Sequence, residues 1–149
     1  MKILLLEDEP EVGEMILTLL QRWNMDAVLT QTPQEAVEAL KDDRVDLLIT
    51  DLVMPIMTGT ELIQKLRRTD QYKDLPVLMI SGKADKQDII DATRTGISDF
   101  VAKPLHPGDL RKRLLAIDRA GQRLLSDQQY LQLRHGSTAC VPQAYRPQS

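Results

Sequence analysis

The sequence predicts an α/β domain: a doubly wound, five-stranded parallel sheet with helices on both faces. Three observations predict it. Five short apolar runs alternate along the chain with five segments of helical periodicity, the pattern of repeated strand–helix–strand units. The strongest runs, Ile3–Leu6, Val45–Thr50 and Val77–Ile80, are almost continuously apolar, as strands buried on both faces must be. The length, 149 residues with 42% hydrophobic, suits one core and a short extension.

Taken in order, the first strand, Ile3–Leu6, stops at Glu7-Asp8-Glu9-Pro10. Val12, Met15, Ile16, Leu19, Leu20 and Trp23 then recur on one face of an amphipathic helix. Asp26–Thr30 is a second, less apolar strand. Thr32-Pro33-Gln34-Glu35 supplies an N-cap, a proline at the first helical position and a capping-box glutamate for a helix running to about Lys41. Val45–Thr50 is the third strand and ends at Asp51. The loop Leu52–Gly59 contains Pro55, after which Leu62, Ile63 and Leu66 mark a third helix. Pro76 precedes the fourth strand, Val77–Ile80, which ends at Ser81-Gly82. Asp85–Thr95 is a fourth helix closed by Gly96, a residue suited to the left-handed position after a helix. Asp99–Ala102 is the fifth strand, ending at Lys103-Pro104, and Asp109 to about Ile117 the fifth helix. The predicted domain is thus 1–117, with 118–149 a C-terminal extension.

Composition narrows the function classes. Only 3% of residues are aromatic, too few for a platform on which bases stack. The formal charge of −3 divides unevenly, −7 over residues 1–104 and +4 over 105–149. An acidic body with a basic end argues against a whole-surface binder of nucleic-acid backbone. One cysteine, Cys140, cannot form an internal disulfide, so no oxidising compartment is required. The longest apolar runs fall far short of the roughly 20 residues that span a bilayer, and Met1-Lys2 leads directly into a strand without the layout of a signal peptide. The expected location is cytoplasmic, with no membrane contact.

In such a fold, right-handed crossovers bring the C-terminal ends of all strands to one edge of the sheet, where ligands bind. The residues that follow the strands are Glu7 and Asp8, then Asp51, then Ser81 and Gly82, then Lys103 and Pro104. Converging carboxylates repel unless a cation sits among them, and hard oxygen ligands suit a hydrated Mg²⁺; Asp8 and Asp51 are the natural ligands. Lys103 would offer a compact positive charge to an anion beside the metal. Phosphoryl transfer needs little beyond positioning and charge neutralisation, so a metal, a lysine and a hydroxyl around an aspartate nucleophile would suffice. Asp51 is the expected acceptor, because it ends a buried strand and enters a proline-containing loop.

These residues resemble the receiver domains of two-component response regulators. The resemblance covers residues 1 to about 117. It rests on the pair Glu7-Asp8, the stretch Asp51-Leu52-Val53-Met54-Pro55-Ile56-Met57-Thr58-Gly59, the Ser81-Gly82 step and Asp99-Phe100-Val101-Ala102-Lys103-Pro104. It implies a flavodoxin-like receiver fold in which Asp51 accepts a phosphoryl group from a sensor histidine kinase or a histidine phosphotransfer protein. Asp8, Asp51 and the backbone carbonyl of Val53 would bind Mg²⁺, and Glu7 would help through water. Lys103 would pair with the phosphoryl group, and Ser81 would swing its hydroxyl to it. Phe100 stands at the switch-aromatic position and would report the change to the surface of the fourth helix, fifth strand and fifth helix, which would signal to a downstream protein or output domain. Val53 and Lys83 would tune the lifetime of the phosphoryl group. Ser81 stands for the commoner Thr, Gly82 for the commoner Ala and Phe100 for the frequent Tyr; none of these removes a needed group. Autophosphorylation and slow hydrolysis are too limited to class such a domain as an enzyme.

Other readings fit less well. Aspartyl-phosphate enzymes of the haloacid-dehalogenase type want a second Asp where Val53 stands, and no Gly-rich phosphate loop follows the first strand. A receiver-like docking module that is never phosphorylated would have no use for the full acidic set with Ser81 and Lys103. Met54 and Met57 read as gap-filling contacts; His106 and His135 have no Cys or His partner at metal spacing and read as exposed loop and tail residues, and Cys140 reads as a bystander thiol in a polar tail. Residues 118–149 are too few and too poor in core residues for a winged-helix domain, so direct DNA binding is not expected. Leu110, Leu114, Ile117, Gly121, Leu124, Gln128 and Leu131 fall at alternating four and three spacing. They would let the fifth helix continue, either as a frayed extension or as a dimerising or signal-carrying helix. A homodimer would use that helix or the face of the fourth helix, fifth strand and fifth helix. Beyond Gly136 the chain reads as a linker or disordered end, compatible with a complete regulator or a part of a longer protein.

Overall fold

The computed structural model describes residues 1–42, 44–82 and 86–122. The elements alternate as the sequence predicts: β1 (Lys2–Leu6), α1 (Pro10–Arg22), β2 (Asp26–Thr30), α2 (Pro33–Asp42), β3 (Leu47–Asp51), α3 (Gly59–Arg67), β4 (Val77–Ser81), α4 (Lys86–Thr93), β5 (Asp99–Ala102) and α5 (Pro107–Gln122). The strands form one sheet in the order β2-β1-β3-β4-β5, with every neighbouring pair parallel.

Successive side chains in a strand point to opposite faces, and the two cores follow from that alternation. Ile3, Leu5, Leu47, Ile49, Leu78 and Ile80 pack with Ile16 and Leu20 of α1 and Leu110, Leu114 and Ile117 of α5. Leu4, Leu6, Leu48, Val77 and Met79 pack on the other face with Leu40 of α2, Leu62, Ile63 and Leu66 of α3, and Ala92 of α4. The central strands β3 and β4 are buried throughout, which is why their sequences carry no polar alternation. Edge strand β2 is exposed at alternate residues, so its run is the least apolar.

Local signals account for the helix starts. Thr32 Oγ1 accepts from the Glu35 amide at 3.1 Å, as the cap requires, while the Glu35 carboxylate accepts from the amide of Gln31, one residue before the cap. The third helix begins at Gly59, earlier than its apolar stripe suggests, because Thr58 and Glu61 form a reciprocal capping box. The third strand is Leu47–Asp51, where the apolar run suggested Val45–Thr50; Asp51 itself is the last strand residue and pairs with Ile80. Gly96 takes φ +85° after α4, the left-handed geometry for which glycine is suited.

The fifth helix corrects the sequence boundaries at both ends. Expected over Asp109 to about Ile117, it runs from Pro107 to Gln122. Its first three stripe residues, Leu110, Leu114 and Ile117, belong to the core, so they anchor the helix rather than offer a seam to a partner. Leu124, Gln128 and Leu131, and with them the dimerising or signal-carrying segment and the linker beyond Gly136, lie outside the described residues, as does Lys83. No helix among the described residues is long and apolar enough to cross a membrane.

Candidate functional site

The sheet order puts β1 beside both β2 and β3, and chains leaving β1 and β3 go to opposite faces, which opens a crevice at their C-terminal ends. A cleft of about 760 Å³ lies there, its lining including Asp8, Glu9, Asp51, Val53, Ser81 and Lys103. The residues that the sequence assigns to four separate strand ends therefore meet in one place.

Asp51 ends β3 and is 6% exposed. Its backbone is held by its neighbours. The Leu52 amide donates to the Ile80 carbonyl at 3.0 Å and the Gly59 amide to the Leu52 carbonyl at 2.8 Å, while Thr50 Oγ1 donates to the Asp51 carbonyl at 3.0 Å. Gly59 passes so close that a Cβ there would collide with the Asp51 carbonyl oxygen. One carboxylate oxygen, Oδ1, accepts from the Val53 amide at 3.2 Å, and the other, Oδ2, accepts from Lys103 Nζ at 3.0 Å. The acceptor candidate is thus oriented from two sides.

Glu7 continues β1 and is 1% exposed. Its Oε1 lies 3.0 Å from Lys103 Nζ, and its Oε2 accepts from the Glu9 amide at 3.1 Å. Burial, with the nearby charge of Asp51, pushes its carboxyl up to about 7, against the lowering effect of Lys103 and the Glu9 amide. Burial alone would lower Lys103, but its hydrogen bonds and charge interactions with Asp51 and Glu7 outweigh that and hold it above its ordinary range. The lysine is charged, and it compensates carboxylates that would otherwise repel.

Glu7, Asp8 and Asp51 each offer a carboxylate oxygen, and the three oxygens lie within 4.8 Å of one another. These oxygen-only donors, of which Asp8 and Asp51 line the cleft, match the demands of a small hard divalent cation. Ser81 ends β4 next to Asp51's strand, is buried and lines the cleft. Phe100 lies within β5, opposite Met79, partly buried against the cluster shared by α3 and α4. Its strand neighbour Asp99 is bound to Arg113 of α5 at 2.7 Å. Met54 and Met57 pack on the same cluster, as gap-fillers would.

Sequence reasoning passed over Glu9. Its Oε1 is 3.3 Å from Lys103 Nζ and it lines the cleft, so the lysine faces three carboxylates. The run Glu7-Asp8-Glu9 was visible in the sequence, but its cation is 94 residues away and only the fold brings it near. The apolar part of the cleft wall, Val12, Met15 and Leu105, was equally hidden, since helical spacing alone cannot tell a core residue from one at the mouth of a site.

The comparisons agree with this arrangement. A family model described as the response regulator receiver domain matches residues 3–115. A chemotaxis protein CheY homolog from Campylobacter jejuni is 34% identical over 118 residues, 76% of this chain and 89% of that protein. The phosphate regulon transcriptional regulatory protein PhoB of Escherichia coli is 30% identical over 118 residues, 79% of this chain and 52% of that protein. Among solved structures, the chemotaxis protein CheY4 of Vibrio cholerae superimposes with a TM-score of 0.73 at 28% identity, covering 78% of this chain and 97% of that one. A parallel sheet in the order 2-1-3-4-5, acidic strand ends facing a lysine, and these matches lead to one conclusion: the chain belongs to the response regulator receiver domain family.

Proposed function

We propose that this chain accepts a phosphoryl group on Asp51 from the phosphohistidine of a sensor histidine kinase or a histidine phosphotransfer protein. Receiver domains are signalling domains whose general function is phosphoryl acceptance, and they interact with histidine kinases and output domains. In the proposed step an Asp51 carboxylate oxygen bonds to phosphorus while the phosphorus–nitrogen bond of the donor breaks. The imidazole nitrogen keeps the electron pair and takes a proton from water. The observation that carries this reading is the orientation of Asp51, with Oδ1 on the Val53 amide and Oδ2 on Lys103 Nζ at the floor of an open cleft.

The remaining residues have roles that follow from charge and position. Lys103 neutralises charge on the incoming phosphoryl oxygens, and Ser81 donates its hydroxyl to one of them. Receiver domains generally bind Mg²⁺ at an acidic pocket, and here Asp8, Asp51 and the Val53 carbonyl would hold it, with Glu7 helping through water. When bound, the ion supplies charge neutralisation and a fixed position for the phosphoryl oxygens. Phe100 carries the change to the face made by α4, β5 and α5, which binds a downstream protein, an output domain or a second copy. Val53 and Lys83 set the lifetime of the phosphoryl group. The protein works in the cytoplasm as a switch rather than as an enzyme.

Intact-protein mass after incubation with Mg²⁺ and a small-molecule phosphodonor tests this. One phosphoryl adduct is expected, absent without Mg²⁺ and absent in Asp51→Ala. No adduct under conditions that modify a control receiver would overturn the reading in favour of an unphosphorylated docking module.

A further inference from the structure

We propose that Glu9 is a placeholder for the phosphoryl group: its carboxylate occupies the third N–H of the Lys103 ammonium in the unmodified chain and yields it to a phosphoryl oxygen when Asp51 is modified. The inference deepens the reading of Asp51 as the acceptor and rests on it, adding a positioning residue that acts through the lysine.

A count of donors creates the need. An ammonium has three N–H groups to give. Lys103 Nζ lies 3.0 Å from Glu7 Oε1, 3.0 Å from Asp51 Oδ2 and 3.3 Å from Glu9 Oε1, so three carboxylates stand against three donors. A phosphoryl oxygen that is to pair with Lys103 must displace one of them. Two are held from behind. Glu7 is buried and its other oxygen accepts from the Glu9 amide at 3.1 Å; Asp51 is buried and its other oxygen accepts from the Val53 amide at 3.2 Å. The Glu9 side chain is 63% exposed and its contact with the lysine is the longest of the three. It also lines the cleft that an incoming anion must enter.

The start of α1 points the same way. Glu9 is the N-cap residue, with Pro10 at the first helical turn, yet its side chain makes no capping bond. That position favours Ser, Thr, Asp or Asn, whose short side chains reach back to the amides of the first turn. A longer side chain that caps nothing and instead meets a lysine 94 residues away is a local rule given up at a functional site. Paired in this way, the lysine stays neutralised until an anion arrives, and the exchange costs one exposed ion pair.

Beryllium fluoride binding at saturating Mg²⁺, followed by fluorine NMR, tests this. Beryllium bonds to a carboxylate oxygen, and its fluorides stand where phosphoryl oxygens would. Glu9→Ala is expected to tighten binding roughly two- to fivefold, the worth of an exposed ion pair, and it leaves in place the backbone amide that holds Glu7. Glu9→Asp is expected to tighten it too although the charge is kept, because the shorter carboxylate turns to its own helix and no longer reaches the lysine. Glu11→Ala removes an exposed charge from the first turn of the same helix and is expected to leave the affinity unchanged. Equal affinity in the wild type and Glu9→Ala would overturn the proposal. So would a matching gain in Glu11→Ala or wild-type affinity in Glu9→Asp, since either would make Glu9 one charge among several. A bound signal missing from the wild type, or surviving in Asp51→Ala, is a different failure: it overturns the reading of Asp51, and this proposal with it.

Discussion

The two ends of the sheet carry similar charge and do different things with it. At the N-terminal edge, between the α2–β3 and α3–β4 connections, a cavity of about 640 Å³ is lined by Lys41, Asp42, Arg44, Asp46, Asp70 and Asp74 among others. Ion pairs here are loose: Arg44 to Asp46 in the cavity wall is 3.9 Å with the arginine 92% exposed, and Lys2 to Asp26, at the starts of β1 and β2, is 3.9 Å. The half-buried cation near this end, Arg67, faces main chain instead of carboxylate. It donates to the carbonyls of Tyr72 at 2.9 Å, Gly96 at 3.0 Å and Thr95 at 3.2 Å. Burial lowers its pKa while Asp74 works against that. At the C-terminal edge two carboxylates, Glu7 and Asp51, are the buried groups, and they share one lysine with the exposed Glu9. Charge density does not distinguish a site from a solvated rim; desolvated charges converging on one point do.

The contrast can be broken at Arg67 with the largest effect. Arg67→Met removes three charge-assisted bonds, taking from the Thr95 and Gly96 carbonyls a donor and leaving the Tyr72 carbonyl only the Leu75 amide, a loss of about 3–5 kcal/mol in urea unfolding. Phosphoryl acceptance by the folded fraction should be unchanged. A loss below about 1 kcal/mol would mean the clamp is ornamental.

At the opposite edge, Glu7 gives the site a pH dependence. Its folded value of about 7 stands above the ordinary 4.5, so the fold favours its protonated form. That stability is fully present below pH 4.5 and is lost as pH rises through 7. In chelator-treated protein, Glu7→Gln should therefore gain about 2–3 kcal/mol relative to the wild type between pH 4.5 and 8. Urea midpoints of both proteins across that range check the sign; a difference that does not change with pH would contradict it.

The smallest effect is expected at the exposed rim. Arg44→Ala should leave the urea midpoint unchanged within error, since an ion pair this open is screened and entropically opposed. A clear destabilisation there would erase the distinction between the two edges.

How much of this was legible in the sequence depends on whether a feature is local. The buried strands β3 and β4 and the amphipathic α1 announce themselves because burial dictates their residue types position by position. Asp51, Ser81 and Lys103 were legible because each stands directly at a strand end, and the fold class carries strand ends to one edge. The capping box of Thr58 and Glu61 was written in the sequence yet was obscured by the proline loop before it. Glu9 and Arg67 were not legible, each for a topological reason. Glu9 needs a lysine 94 residues away, and Arg67 needs two separate connections folded around it.

The central claim, that Asp51 is the phosphoryl acceptor, is tested most directly by trapping the adduct. Borohydride reduction of the phosphorylated protein converts an aspartyl phosphate to homoserine, and peptide sequencing by mass locates it. The account predicts homoserine at residue 51 and nowhere else, with no conversion when Mg²⁺ is withheld. Conversion at Asp8, or a stable phosphoryl group on Ser81 that borohydride leaves intact, would contradict it.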